Sequence, residues 1–118
     1  VVYGGFVCYA NAAKMAMINV PGNMIAQFGA VSEQVACAMA QGALNATKVD
    51  IAIAVTGIAG PGGGTRQKPV GLVHFGLAAA DKTWHMQRHF GAIGREQVRL
   101  ETVHSALEMV LEALTVQP

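Results

Sequence analysis

Apolar runs and the spacing of apolar side chains divide the chain into helices and strands, separated by glycine, proline and polar turns. The helices are predicted at residues 12–18, 23–28, 33–46 and 95–114. The strands are predicted at residues 1–10, 51–55, 70–79 and 83–90. The last strand alternates apolar and polar residues, and the turn at Asp81 and Lys82 predicts an antiparallel hairpin with the strand before it.

Strands that alternate with helices predict an α/β fold, in which helices cover a sheet. We expect an α/β sandwich with a mixed β-sheet, formed by residues 1–118 as a single domain. The chain starts directly in the first predicted strand and without an initiator methionine, so we expect the N-terminal part of the domain to be missing. Such a loss would leave one edge of the sheet open.

The composition is that of one ordinary domain, since 53% of the 118 residues are hydrophobic and 13% are charged. This excludes a disordered charged tail, and a net charge of +1 without a basic stripe argues against a nucleic-acid partner. No apolar stretch of membrane-spanning length and no signal peptide occur, so we expect no membrane partner and a cytoplasmic location. Cys8 and Cys37 are then expected to be buried free thiols. The low charge and the incomplete domain predict a homo-oligomer, either a dimer or a larger assembly.

A long glycine-rich segment, residues 57–69, follows the predicted strand at 51–55 and is called the glycine loop below. Its glycines permit positive φ angles, so several backbone N–H groups can converge on an anion, and Arg66 and Lys68 add positive charge. The spacing does not match a Walker loop, which would place lysine where Gly63 stands. A phosphate contact and a mobile surface loop both remain open from the residues alone.

Tyr9 and Lys14 form the second candidate feature, at the end of the first predicted strand and the start of the next helix. With Asn11 as N-cap, Lys14 would lie in the first turn, where the helix dipole and apolar neighbours disfavour its ammonium form. A neutral lysine can act as a general base. The alternative is a lysine that extends from the helix end into solvent, and the sequence by itself favours that alternative.

Other reactive side chains predict no second site. His85 and His89 are four residues apart on the polar face of a strand, and without a third ligand they do not predict a metal site. His74 and His104 lie on apolar elements and are expected to make core or partner contacts. Cys8 lies inside a predicted strand and is expected to be structural.

Three strings resemble one known family. Residues 5–14, GFVCYANAAK, resemble its GGFVTYSNEAK segment, and residues 29–33, GAVSE, resemble its HGAVSEE segment. Residues 56–65, TGIAGPGGGT, followed by KPVG at residues 68–71, resemble its TGIAGPGGGTxxKPVG loop. The chain is thereby similar over its whole length to the C-terminal domain of the competence-damage protein CinA, which also occurs alone as PncC.

The resemblance implies a three-layer α/β/α domain and hydrolysis of nicotinamide mononucleotide to nicotinic acid mononucleotide and ammonia, in pyridine nucleotide salvage. It implies no metal and no cofactor. In the family a serine in a Glu-Ser-Cys-Thr-Gly-Gly segment is the nucleophile, and Tyr9 and Lys14 match the tyrosine and lysine that assist it. The implied substrate-binding residues are Asn11, Thr56, Gly57, Gly60, Gly62, Gly63, Gly64, Thr65 and Arg95.

The chain departs from the family in two places. The serine segment is expected upstream of Val1, and neither Ser32 nor Ser105 replaces it, so we expect negligible activity from the 118 residues alone. Ala92 stands where many relatives carry an acidic residue after the glycine. A non-catalytic nucleotide-binding or regulatory module is therefore the alternative function, and a structural or assembly role is a third.

Overall fold

The structure, a computed structural model, describes residues 2–116. Its helices are α1 (Asn11–Ile18), α2 (Gly22–Phe28), α3 (Glu33–Ala46) and α4 (Arg95–Val116). Its strands are β1 (Ile51–Gly57), β2 (Leu72–Ala79) and β3 (Lys82–His89). These elements confirm all the predicted helices, the strands predicted after residue 50 and the α/β class. No helix in the described range is long and apolar enough to cross a membrane.

The three strands pair antiparallel in the order β1-β2-β3, which confirms the predicted hairpin. On one face of the sheet, α3 approaches β2 so closely that a Cβ at Gly76 would lie 2.4 Å from the carbonyl oxygen of Ala36. On the other face, Val98 of α4 packs in a buried cluster with Val73 and Phe75. Because side chains alternate along a strand, these contacts place α3 and α4 on opposite sides of the sheet, as a three-layer sandwich requires.

The α3 side of the sheet carries the second apolar cluster. It consists of Ile18, Val20, Ile25, Val35 and Met39, and Cys8 and Ala54 pack against it. These residues come from the chain before α1, from all three short N-terminal elements and from β1. The cluster therefore fixes the first third of the chain against the sheet.

Helix α4 buries one side only. Its outward apolar residues, here called the α4 leucine stripe, are each 55–62% exposed; they are Leu100, Val103, Leu107, Leu111 and Leu114. An apolar cavity of about 260 Å³ opens beside this stripe, between Val55 of β1 and Val98 of α4. Apolar surface of this extent is typical of a face that another chain or segment covers.

The strand predicted at residues 1–10 is wrong for the described residues 2–10. They form neither helix nor strand, and Val2 and Val7 are 89% and 88% exposed. In the described range β1 pairs with β2 only, so the sheet is antiparallel throughout, where a mixed sheet was expected. A strand needs hydrogen bonds from a neighbouring strand, and Gly4 and Gly5 add to the entropy that pairing would have to offset.

Candidate functional site

The two ends of the glycine loop are clamped together by backbone hydrogen bonds. The N–H of Ile58 donates to the Leu72 carbonyl at 2.9 Å, and the N–H of Gly71 donates to the Ile58 carbonyl at 2.7 Å. Gly71 has φ +94°, and a Cβ there would lie 2.3 Å from the backbone nitrogen of Gly91. Only glycine fits this crossing, so the loop leaves the sheet at a defined place.

The interior of the loop is held at two further points. Arg95, at the start of α4, donates from Nη1 to the Gly60 carbonyl at 3.3 Å. Thr65 closes a turn, since its N–H donates to the Lys68 carbonyl at 2.8 Å and its hydroxyl accepts from the Lys68 N–H at 3.0 Å. Between these points Gly62 has open space around its Cα, and residues 61–67 are exposed. Backbone N–H groups of this segment are accessible to a ligand.

Lys68 joins the loop to the end of α2. Its ammonium donates to the Phe28 carbonyl at 2.5 Å, and it lies so close to Gly29 that a Cβ there would be 2.6 Å from Nζ. The sequence predicts Lys68 only as positive charge beside the loop and not as a site residue. Its position in the matched KPVG string at residues 68–71 was the available signal.

Thr56 and Ser32 connect the other matched strings to the sheet. The buried Thr56 hydroxyl donates to the Ala30 carbonyl at 2.8 Å. The Ser32 hydroxyl accepts from the Val35 N–H at 3.2 Å, which caps α3 as predicted, and donates to the Gly29 carbonyl at 2.9 Å. The segment at residues 29–33 is thus tied both to the end of β1 and to the start of α3.

Lys14 is buried, with 7% of its surface exposed, and its ammonium donates to the Cys8 carbonyl at 3.3 Å. The expectation that it extends into solvent is therefore wrong. Asn11 is the first helical residue and Ala10 is the N-cap, without a side-chain bond, so the predicted Asn11 cap is also wrong. Lys14 is buried because α1 packs its side against α3, where Ile18 enters the apolar cluster. Tyr9 lies at the surface, 88% exposed.

The candidate residues fall into two groups. Asn11, Tyr9 and Lys14 surround the start of α1, whereas the glycine loop, with Thr56 at its beginning, is held by Arg95. Within residues 2–116 no hydrogen bond joins one group to the other. The apolar cavity beside α4 is lined by Gly57 at the start of the glycine loop, but by neither Tyr9 nor Lys14.

Titratable groups cluster where α3 begins. Burial, followed by the nearby His85 and Lys68, lowers the pKa of His74 below its ordinary 6.5. Burial, and then the Glu33 carboxylate, raises the pKa of the Cys37 thiol above its ordinary 9.0, which makes it a poor nucleophile. His74 contacts His85, as expected of a histidine on an apolar element, while Cys8 and Cys37 are partly buried free thiols. In the described residues no group of three or more His, Cys, Asp or Glu could hold a metal ion.

Comparisons with known proteins identify the family to which these strings belong. The profile described as CinA C-terminal domain matches residues 1–114. A CinA-like protein of Leptospira borgpetersenii serovar Hardjo-bovis (strain L550) is 42% identical over 112 residues, which are 95% of this chain and 27% of that protein. A putative competence-damage inducible protein of Desulforudis audaxviator (strain MP104C) is 46% identical over 114 residues, 97% of this chain and 27% of that protein. The chain thus spans about a quarter of the length of these curated relatives.

A solved structure agrees in fold as well as sequence. The competence/damage inducible protein CihA from Agrobacterium tumefaciens superposes with a TM-score of 0.89 at 50% identity, covering 92% of this chain and 66% of that one. The profile match and these relatives lead to one assignment. The chain belongs to the CinA C-terminal domain family.

Proposed function

We propose that this chain supplies the lysine, the tyrosine and the nucleotide-binding loop of an amidohydrolase that converts nicotinamide mononucleotide to nicotinic acid mononucleotide and ammonia. The observation that carries the proposal is Lys14, which is buried on an apolar helix and whose Nζ donates to the Cys8 carbonyl, next to Tyr9 in the chain. A buried lysine is suited to move a proton to or from a serine hydroxyl, and the exposed Tyr9 follows Cys8 directly in the chain.

The proposed chemistry needs a nucleophile from outside these 118 residues, because the family's Glu-Ser-Cys-Thr-Gly-Gly segment is not among them. The serine oxygen would attack the carboxamide carbon while the neutral amine of Lys14 accepts its proton and Tyr9 orients the hydroxyl. Collapse of the tetrahedral oxyanion would expel ammonia, with that proton returned to the leaving nitrogen. Water would then hydrolyse the acyl-serine to the carboxylic acid. No metal or cofactor enters this scheme.

The glycine loop is proposed to bind the phosphate or ribose of the nucleotide. Support comes from the open space at Gly62, from the positive φ of Gly63 at +88°, and from the clamped ends of the loop. Arg95 uses one N–H on the Gly60 carbonyl, and its guanidinium has further N–H donors that can meet a phosphate. Asn11, exposed at the start of α1, is proposed to contact the same substrate.

Ammonia release from nicotinamide mononucleotide tests the proposal in a protein extended upstream through the family's serine segment. We expect turnover in the extended protein and none in the 118-residue chain. Replacing Lys14→Met, which keeps the length and apolar packing, should reduce the rate by roughly 10²–10⁴-fold. The control Lys48→Met, at an exposed lysine outside the site, should leave the rate unchanged. No turnover with the serine present would overturn the proposal.

A non-catalytic nucleotide-binding or regulatory module is the second candidate. It is favoured by the glycine loop, which is held at Gly60 by Arg95 and shares no hydrogen bond with Tyr9 or Lys14 within residues 2–116. Calorimetry with nicotinamide mononucleotide separates the two, since binding by the extended protein without ammonia release would establish the module and exclude the enzyme.

We also propose a cytoplasmic location and self-association. Both cysteines are free thiols, which fits a reducing compartment. The α4 leucine stripe offers an apolar surface through which copies of the chain could associate.

A further inference from the structure

Two histidines on the α3 face of the sheet share a hydrogen bond. His74 Nδ1 and His85 Nε2 are 2.9 Å apart, and the ring centroids are 5.1 Å apart with 28° between the ring planes. The distance between the centroids is longer than the N···N distance by about the radii of the two rings. Both nitrogens therefore lie near the line that joins the centroids, and the rings meet edge to edge rather than face to face. One nitrogen must then carry a proton and the other must be bare, since two N–H groups would repel each other.

Glu33 determines which nitrogen carries that proton. His85 Nδ1 lies 3.7 Å from Glu33 Oε1, at the first residue of α3. A proton on Nδ1 faces the carboxylate favourably, which leaves Nε2 of a neutral His85 bare. His74 must then donate its Nδ1 proton to His85. The neutral chain of bonds runs from His74 through His85 to Glu33.

The other groups around the pair also disfavour a positive charge on His74. Burial and His85 lower the pKa of His74 most, the charges of Lys68 and His89 lower it further, and the Glu33 carboxylate acts in the opposite direction. Cys37 of α3 lies near Glu33 and stays a neutral thiol. Among the described residues, every buried side-chain nitrogen has a hydrogen-bond partner. His74 Nε2 has no such partner, so this atom must be open to solvent.

We propose that His74, His85 and Glu33 form a proton relay that tightens the contact between α3 and the β2–β3 hairpin. When the pair takes up one proton from solvent, an N–H bond forms at His74 Nε2. The shared proton leaves His74 Nδ1 and binds to His85 Nε2, so the single added charge resides on His85, opposite Glu33. His74 ends as a neutral ring with its tautomer reversed.

The relay goes beyond the proposed amidohydrolase and does not depend on it. Its outer end, Glu33, follows Ser32, which bonds to Gly29, and Gly29 touches Lys68 of the glycine loop. The outer end of the relay therefore lies four residues from Gly29, at the end of α2, where Lys68 approaches. A second proton would place N–H groups on both facing nitrogens and break the bond between the rings.

Long-range ¹H–¹⁵N correlation spectra of the 118-residue chain, recorded across a pH titration, test the relay without substrate. At alkaline pH His74 should show a protonated Nδ1. After uptake of one proton it should show a protonated Nε2 and a bare Nδ1, while both nitrogens of His85 are protonated. The Glu33 and Gly76 backbone amides should shift with the same midpoint. A His74 that keeps one tautomer throughout, or independent titration of the two rings, would overturn the proposal.

Variants separate the relay from a simple contact. Glu33→Gln at an exposed position keeps the fold and removes the carboxylate charge, so the first proton should bind at lower pH than in the parent. Glu112→Gln, at an exposed position on α4, is the control and should retain the tautomer reversal at the parent's pH. Titration of Glu33→Gln at the parent's pH would show that Glu33 plays no part and would refute the relay.

Discussion

Substitution of Gly76 by alanine would disturb the contact between α3 and the sheet. A Cβ at Gly76 would lie 2.4 Å from the Ala36 carbonyl oxygen, 2.7 Å from its carbonyl carbon and 3.0 Å from the Cys37 nitrogen. All three atoms belong to the helix backbone, so no flexible side chain can turn aside. The helix itself must withdraw from the sheet.

The structure gives the size of this displacement. An ordinary contact begins at 3.4 Å, so the shortest of these distances requires α3 to move by about 1.0 Å. Val35, Ala36 and Ala40 are 0% exposed on this face, and a gap of that size forfeits a quarter to a half of the dispersion energy of each affected contact. Overpacking of this kind costs roughly 1–3 kcal/mol, while the lower backbone entropy of unfolded alanine returns roughly 0.4–1 kcal/mol. We expect a net loss of about 1.3 kcal/mol.

Urea unfolding followed by circular dichroism measures this loss. With an m-value of about 2 kcal/mol per molar, the midpoint of Gly76→Ala should fall by about 0.65 M urea. The control is Gly62→Ala in the glycine loop, where an added Cβ would meet nothing within 4 Å. Its midpoint should stay the same or rise. A Gly76→Ala midpoint equal to or above that of the control would refute the close packing of α3 on β2.

Further predictions concern the helix cap, pH and association. Ser32→Ala removes the α3 cap and should lower the free energy of unfolding by about 1 kcal/mol in the same urea assay. An unchanged urea midpoint would contradict this prediction. In the relay the first proton's charge resides on His85, and His74 stays neutral because its folded pKa is lowered. Unfolded His74 binds a proton more readily below pH 6.5, so stability should fall as the pH drops through and below that value. His74→Gln should flatten this fall, whereas His104→Gln, at an exposed histidine, should not. Light scattering after size-exclusion chromatography should show that the parent chain self-associates and that Leu107→Glu, in the α4 leucine stripe, reduces this association. A monomeric parent chain would contradict the predicted self-association.

The helices and the hairpin were predictable because local patterns determine them. Ser32 followed by an apolar spacing of four fixed the start of α3, and period-two alternation on either side of Asp81 fixed β2 and β3. The strand predicted at residues 1–10 failed for a different reason. Its apolar residues satisfy strand propensity, but β-structure depends on a partner strand, and these residues have none in the described range.

The candidate site was only partly predictable. The glycine loop could be located from its sequence. Gly60 and Gly63 have positive φ angles, the conformation for which glycine was expected there. The burial of Lys14 was not predictable, because a lysine in the first turn of a short helix is usually solvated. Whether it is buried depends on where α1 meets α3, and that contact joins residues far apart in the sequence.

The histidine pair shows most directly what the sequence leaves open. His74 and His85 lie eleven residues apart, and alternation alone puts His85 on the polar face of its strand. Their contact requires the β2–β3 register in which Gly76 faces His85, together with a helix that covers the same face and brings Glu33 to it. Since Gly76 has no side chain, α3 can approach this close, and the property that packs the helix also places its first carboxylate beside the imidazole. A larger residue at Gly76 should therefore both destabilise the fold and weaken the contact between Glu33 and His85.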